Sequence, residues 1–138
     1  DVRKAYNDVI YGLDEPPFDE ALTNDSPRVA AAFEAHKPKV VESFGPFEAR
    51  LAAVVAGGGT AATPVLVGDK LSVADVALFD IFDVHLRLWA DALGADAFPS
   101  LHAHRAGVAS QPGIAAYLGA DEGASRRRWS RLNGNALG

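Results

Sequence analysis

Few side chains in this chain have types and spacing suited to chemistry. There is no cysteine, which removes thiolate nucleophiles, disulfides and every zinc site that needs a Cys ligand. His102 and His104 are two apart on a helical segment, about 200° around its axis, whereas two ligands on one helix need i and i+4 spacing to share a metal. His85 sits in an apolar stretch and reads as a hydrogen-bonded core histidine. Asp80 and Asp83 read as members of a polar network or an interface rather than an acid/base pair. Gly57-Gly58-Gly59 lacks the Gly-Lys-Ser/Thr continuation that would let a glycine run cradle phosphate, so it reads as a linker. Ser72-Val73-Ala74-Asp75 has the spacing of a capping box, with Asp at N3 in place of Glu or Gln, and its chemistry is the satisfaction of free helix N–H groups. Arg126-Arg127-Arg128 beside Trp129 could meet an anionic partner or nucleic acid, but a solvated tail is the simpler reading. No catalytic residue and no metal site can be named within the chain.

The elements that would carry these residues are helical. At 100° per residue Val2, Ala5, Tyr6, Val9, Ile10 and Leu13 share one side of a first helix, with Asp1, Lys4, Asn7, Asp8 and Tyr11 on the other. Asp14-Glu15-Pro16-Pro17 opens a loop that runs to Asp25. Ser26 and Pro27 supply an N-cap and a first-turn proline for a second helix with Val29, Phe33 and His36 on one face. Pro38 predicts a break and a new start, after which Val40, Phe44, Phe47, Leu51 and Val54 recur at helical spacing. Pro46 falls inside that pattern and predicts a kink or a split. From Val76 to Trp89 the chain is apolar nearly all round, the pattern of a helix buried at the centre of its domain. Pro99-Ser100-Leu101 starts another helix, Gln111-Pro112 ends it, and a short last helix follows to Leu118. Strand-like alternation is nearly absent, so the fold class is all-α, a bundle of about five or six helices over residues 1–118, followed by a basic C-terminal tail over 119–138.

Composition bounds the rest. The chain has 138 residues, 49% hydrophobic and 22% charged, the profile of one globular domain, and a chain of this length buries roughly 68–70% of its unfolded surface without needing staples. No run approaches the ~20 apolar residues of a membrane helix, and the first residues lack a signal-peptide core. The net charge of −5 argues against general affinity for nucleic acid. It is unevenly spread: residues 1–125 carry nine basic and eighteen acidic side chains, and Arg126, Arg127, Arg128 and Arg131 all lie beyond them. Methionine is absent, and a helical pattern already runs at Val2 with no start signal before it. The sequence therefore reads as the downstream part of a longer protein.

The stretch Val67-Gly68-Asp69-Lys70-Leu71-Ser72-Val73-Ala74-Asp75-Val76-Ala77-Leu78-Phe79 resembles the capping-box helix of the glutathione transferase C-terminal domain, whose form is V-G-[DN]-x-[LI]-[ST]-x-A-D. Three further pieces fall in that family's order. They are Asp1-Val2-Arg3 ahead of Tyr11, Phe47-Glu48-Ala49-Arg50-Leu51 before the glycine loop, and Phe98-Pro99-Ser100-Leu101 followed by Gln111-Pro112-Gly113-Ile114-Ala115-Ala116-Tyr117. The D-x-R and aromatic spacing looks most like the sigma and mu type. The resemblance implies a glutathione transferase C-terminal-like bundle that walls the pocket of an enzyme conjugating glutathione, its co-substrate, to hydrophobic electrophiles. The thiol-activating residue would belong to an N-terminal thioredoxin-like domain not in this sequence, so the chain alone would be inactive.

The resemblance also implies positions. Asp1 aligns with an acidic residue that reaches across a homodimer interface toward the glutamyl amino group of glutathione on the other subunit. Lys4, Asn7 and Tyr11 on the polar side of the first helix, and Ala77 and Ile81 one turn apart on the later one, are the implied substrate contacts. Ser72 and Asp75 are capping residues. The parent would be cytoplasmic and need no metal. Two rival readings remain: a non-catalytic interaction module or subunit of a larger complex, since fold alone does not decide function, and a ligand-binding bundle unrelated to glutathione.

Overall fold

The computed structural model describes residues 27–58 and 63–120. Four helices order these residues: α1 Pro27–Ala56, α2 Val73–Leu88, α3 Pro99–Ala109 and α4 Pro112–Gly119. The all-α expectation holds, and four of the five or six helices are accounted for. The helix expected over the first residues lies outside the described part.

The remaining difference in number comes from α1. It runs unbroken through Pro38 and Pro46, so the new start at Pro38 and the split at Pro46 do not occur. Each proline removes a backbone donor and crowds the carbonyl four residues back, at roughly 3 kcal/mol in a helix interior. What opposes that cost is burial on the other side of the helix, where Val40, Phe44 and Leu51 are fully buried, each side chain contributing roughly 1.5–3 kcal/mol. Both prolines face solvent. The helix ends where Gly57 and Gly58 follow, and Gly58 adopts φ +91°, a conformation open to glycine without a Cβ penalty.

One core joins the helices. Val40, Phe44 and Leu51 of α1 meet Leu78 and Phe82 of α2, Trp89 and Leu93 of the turns that follow, and Leu101 of α3. Its aromatic members meet edge to face, Phe44 against Phe82 and Phe33 against Trp89, both with ring centroids 5.2 Å apart, the arrangement that ring quadrupoles favour. The Trp89 indole N–H donates to the Phe33 carbonyl at 3.0 Å. His85 is buried beside Trp89 and its Nδ1 lies 2.7 Å from the Ile81 carbonyl.

Two carboxylates hold helix starts in place. Glu48 of α1 accepts the N–H groups of Ser100 and Leu101 at 2.9 and 2.8 Å, one on each oxygen. It thereby caps α3 from another helix, because the residue at the N-cap position, Phe98, has no side-chain acceptor. The second carboxylate is Asp75, which builds the site described next. Asp83 does different work: it is buried, with Arg105 and Arg87 reaching its oxygens at 2.6 and 2.7 Å, so its side of the Asp80 and Asp83 pair is a structural network.

Candidate functional site

The start of α2 has two faces with opposite chemistry. On the inner face Asp75 is fully buried. Its Oδ1 accepts the Leu66 N–H at 2.8 Å, and its Oδ2 accepts both the N–H and the hydroxyl of Ser72 at 2.8 and 2.7 Å. The capping box therefore forms and also ties the preceding loop down, since Leu66 lies nine residues upstream. Gly68, at φ +71°, lets the loop turn back between these two anchors. His104 of α3 closes the joint, with Nδ1 2.8 Å from the Pro64 carbonyl and Nε2 3.2 Å from the Asp75 carbonyl.

Burial pushes the Asp75 carboxyl up, but the Leu66 N–H, the Ser72 hydroxyl and N–H, and the neighbouring His104 ring together hold it below the ordinary carboxylate value. A carboxylate whose charge is met by that many donors is a structural anion rather than a proton carrier. His104 thus belongs to a joint between the loop, α2 and α3. Among the described residues no three metal-ligating side chains come together.

On the outer face the same turns of α2 are exposed and apolar. Val73, Val76, Ala77 and Asp80 form one wall of a cleft of about 420 Å³, and Gly113, Ile114, Tyr117 and Leu118 of α4 form the other. A space of that size falls in the range that takes a small organic ligand. Its large apolar residues stay in solvent: Val73 is 86% exposed, Val76 43% and Tyr117 45%. The expectation that this helix is buried all round is corrected on this side, because its buried apolar residues are Leu78, Phe79 and Phe82, with Ile81, Val84, Leu86 and Leu88 packed against the core.

The wall formed by α4 is set by local chemistry. Pro112 occupies its first turn, where the missing N–H costs nothing and the fixed φ favours the helix. Just before it, the Ser110 hydroxyl and the Gln111 amide both donate to the Gly107 carbonyl, at 2.8 and 3.2 Å. Gly107 itself is buried against Thr63, which a Cβ at that position would strike. Gly113 differs, since a Cβ there meets nothing within 4 Å and its bareness widens the cleft.

The residues singled out from the sequence are distributed unevenly. Ala77 lines the cleft. Ile81, one turn on, is half-buried and packs against the core, because four residues advance a helix by about 40° beyond a full turn. Ser72 and Asp75 stand beneath the cleft as the cap of its first wall. Asp1, Lys4, Asn7 and Tyr11 lie outside the described residues. Sequence reasoning did not single out Val73, Val76, Ile114 and Tyr117. Their signal was an excess: α2 and α4 carry more apolar residues than one buried stripe needs.

The arrangement can hold an apolar molecule against its largely apolar walls, with Asp80 and Tyr117 the polar groups among its lining residues. Among the described residues no helix is long and apolar enough to cross a membrane. No curated protein and no solved structure matches the chain. Residues 1–121 match the family described as glutathione S-transferase, C-terminal domain.

Proposed function

The chain belongs to the glutathione S-transferase C-terminal domain family, and from that premise we propose that the cleft between α2 and α4 is one wall of the pocket that holds a hydrophobic electrophile for conjugation to glutathione. The observation that carries this reading is Ala77, which lies on the exposed apolar wall of the cleft and is one of the two substrate positions that the family resemblance assigns to this helix.

Conjugation needs three things: a thiolate near neutral pH, an oriented glutathione, and an apolar pocket beside it. The cleft supplies the third. Asp1 supplies part of the second, contacting the glutathione bound by the partner in a homodimer of sigma or mu type, while Lys4, Asn7 and Tyr11 complete the polar side of the electrophile pocket. Ile81 acts from behind, packed against the core. The residue that activates the thiol is assigned to a domain beyond these 138 residues.

The test is conjugation of glutathione to a chloronitrobenzene by the longer protein, with binding of the same electrophile to this chain measured in parallel. Ala77→Trp fills the cleft and is expected to weaken electrophile binding at least tenfold in both, whereas Asp1→Ala is expected to raise the KM for glutathione without changing electrophile binding. Unchanged binding in Ala77→Trp sinks the assignment of the cleft. A second reading, a non-catalytic module that docks another protein, is favoured by the exposure of Val73, Val76 and Tyr117. A longer protein that is folded, fails to bind glutathione and retains a protein partner through these side chains would establish it.

A further inference from the structure

His104 of α3 is 1% exposed, and both of its ring nitrogens face acceptors. Nδ1 lies 2.8 Å from the Pro64 carbonyl and Nε2 lies 3.2 Å from the Asp75 carbonyl. A carbonyl oxygen only accepts, so each nitrogen needs a hydrogen to bond to it, whereas a neutral imidazole carries one hydrogen between its two nitrogens. In the neutral ring one nitrogen lone pair points at a carbonyl oxygen where water does not reach, and a buried contact left unmade in this way is costly. The imidazolium satisfies both contacts. Its charge is met as well, because the fully buried Asp75 carboxylate stands 3.9 Å from Nδ1.

We propose that His104 is an imidazolium in the folded chain and that its proton fastens the segment 64–72 to α2 and α3, so that losing this proton loosens the start of the cleft's first wall. The segment is tied at three places: Pro64 to His104, Leu66 to Asp75, and Ser72 to Asp75. Val73, Val76 and Ala77 of the cleft follow directly. A neutral ring gives up one of its two carbonyl contacts and leaves the Asp75 anion without its neighbouring positive charge. The other charged groups around the ring are engaged elsewhere or exposed. On α3 Arg105 reaches Asp83 at 2.6 Å. On α1 Glu48 accepts the N–H groups of Ser100 and Leu101, and Arg50 donates to the Leu66 carbonyl at 3.1 Å. Asp69 and Lys70 of the segment itself are exposed, and α4 carries no acid or base except Tyr117 on the cleft. The stability that the proton contributes is complete below about pH 6.5, the value of an imidazole in an unfolded chain, and is lost at the higher pH where the folded ring deprotonates. None of this depends on what the cleft holds.

The experiment is nitrogen NMR of the histidine rings in the full chain. At neutral pH both ring nitrogens of His104 are expected to show one-bond coupling to a slowly exchanging hydrogen. His104→Gln assigns these signals among the four histidines; through-bond correlation assigns them in the unsubstituted chain should that variant fail to fold. Amide exchange then tests the fastening. The protection of the Leu66 N–H, corrected for the intrinsic rate, is expected to fall about tenfold between about pH 6 and about pH 9, while that of Phe82 in the core of α2 stays level. Affinity for Nile red, a neutral apolar dye, is expected to weaken over the same range. Both pH effects are expected to vanish in His104→Gln, whose side chain does not titrate. A His104 ring with one bare nitrogen at neutral pH overturns the proposal, as does Leu66 protection that stays level with pH or falls equally in His104→Gln. Loosening at Leu66 with unchanged dye affinity overturns the link to the cleft.

Discussion

Asp75 and Val76 are neighbours in sequence and opposites in setting. Asp75 is fully buried with each carboxylate oxygen accepting at least one hydrogen bond, while Val76 is 43% exposed on an open cleft. One residue of helix, about 100° of rotation, separates a joint that cannot change from a surface that can. A buried network is costly to interrupt because each partner left behind loses its hydrogen bond in a place water does not reach. An apolar wall open to water loses little when one side chain is exchanged for another. Fold and specificity are thus written on the same two turns, and the division lets the cleft vary without endangering the bundle.

The sharpest way to break this comparison is to exchange the two faces. Asp75→Ala strands the N–H groups of Leu66 and Ser72 and removes the anion beside His104, so we expect a loss of about 3–5 kcal/mol, within the range for breaking a buried charge network. Urea unfolding measures it. The capping box alone would predict only about 1 kcal/mol, so a loss that small would show that the contacts to Leu66 and His104 contribute little.

Glu48→Ala is the next test, because it removes an acceptor as well connected as Asp75 but only half-buried. The expected loss is about 1–2 kcal/mol, the range for a helix cap, with amide hydrogen exchange accelerated first at Ser100 and Leu101.

Acid should separate the faces without mutation. Asp75 is held below its ordinary value in the folded chain, so its contribution is complete above about pH 4, the unfolded carboxylate value, and disappears as pH falls through the lower folded value. Unfolding midpoints recorded from pH 6 to pH 2 should decline in that lower window, and the decline should be smaller in Asp75→Asn.

The smallest effects belong to the cleft. Val76→Ala should change stability by less than about 0.5 kcal/mol, as for most exposed positions. Gly113→Leu should leave it unchanged or raise it by up to about 1 kcal/mol through helix propensity, while shrinking the space for any ligand. A large loss from either would mean that the outer face is as constrained as the inner one.

What could be read without a structure was local. The start of α2 at Ser72 and the first-turn prolines of α3 and α4 depend on residues within one helical turn of each other, and those elements appear where their signals stand. The family string from Val67 to Phe79 belongs to the same class, since it encodes a loop and a helix start that touch each other. The prolines of α1 were local signals too, and there they misled: the burial of Val40, Phe44 and Leu51 outweighs two missing N–H groups, which no window of the sequence around Pro38 or Pro46 displays.

The sequence by itself therefore determined an all-α domain, the capping of its central helix, the family it joins and Ala77 as a candidate contact. Only the tertiary structure decided that His104 meets Asp75 across 29 residues, that Glu48 caps a helix some 50 residues away, and that Val76 and Tyr117 form a cleft rather than enter the core. The physical reason is one of range. Helix starts are chosen by hydrogen bonds that close within a turn, whereas the partner of a buried histidine or the fate of an apolar face depends on which distant segment arrives beside it.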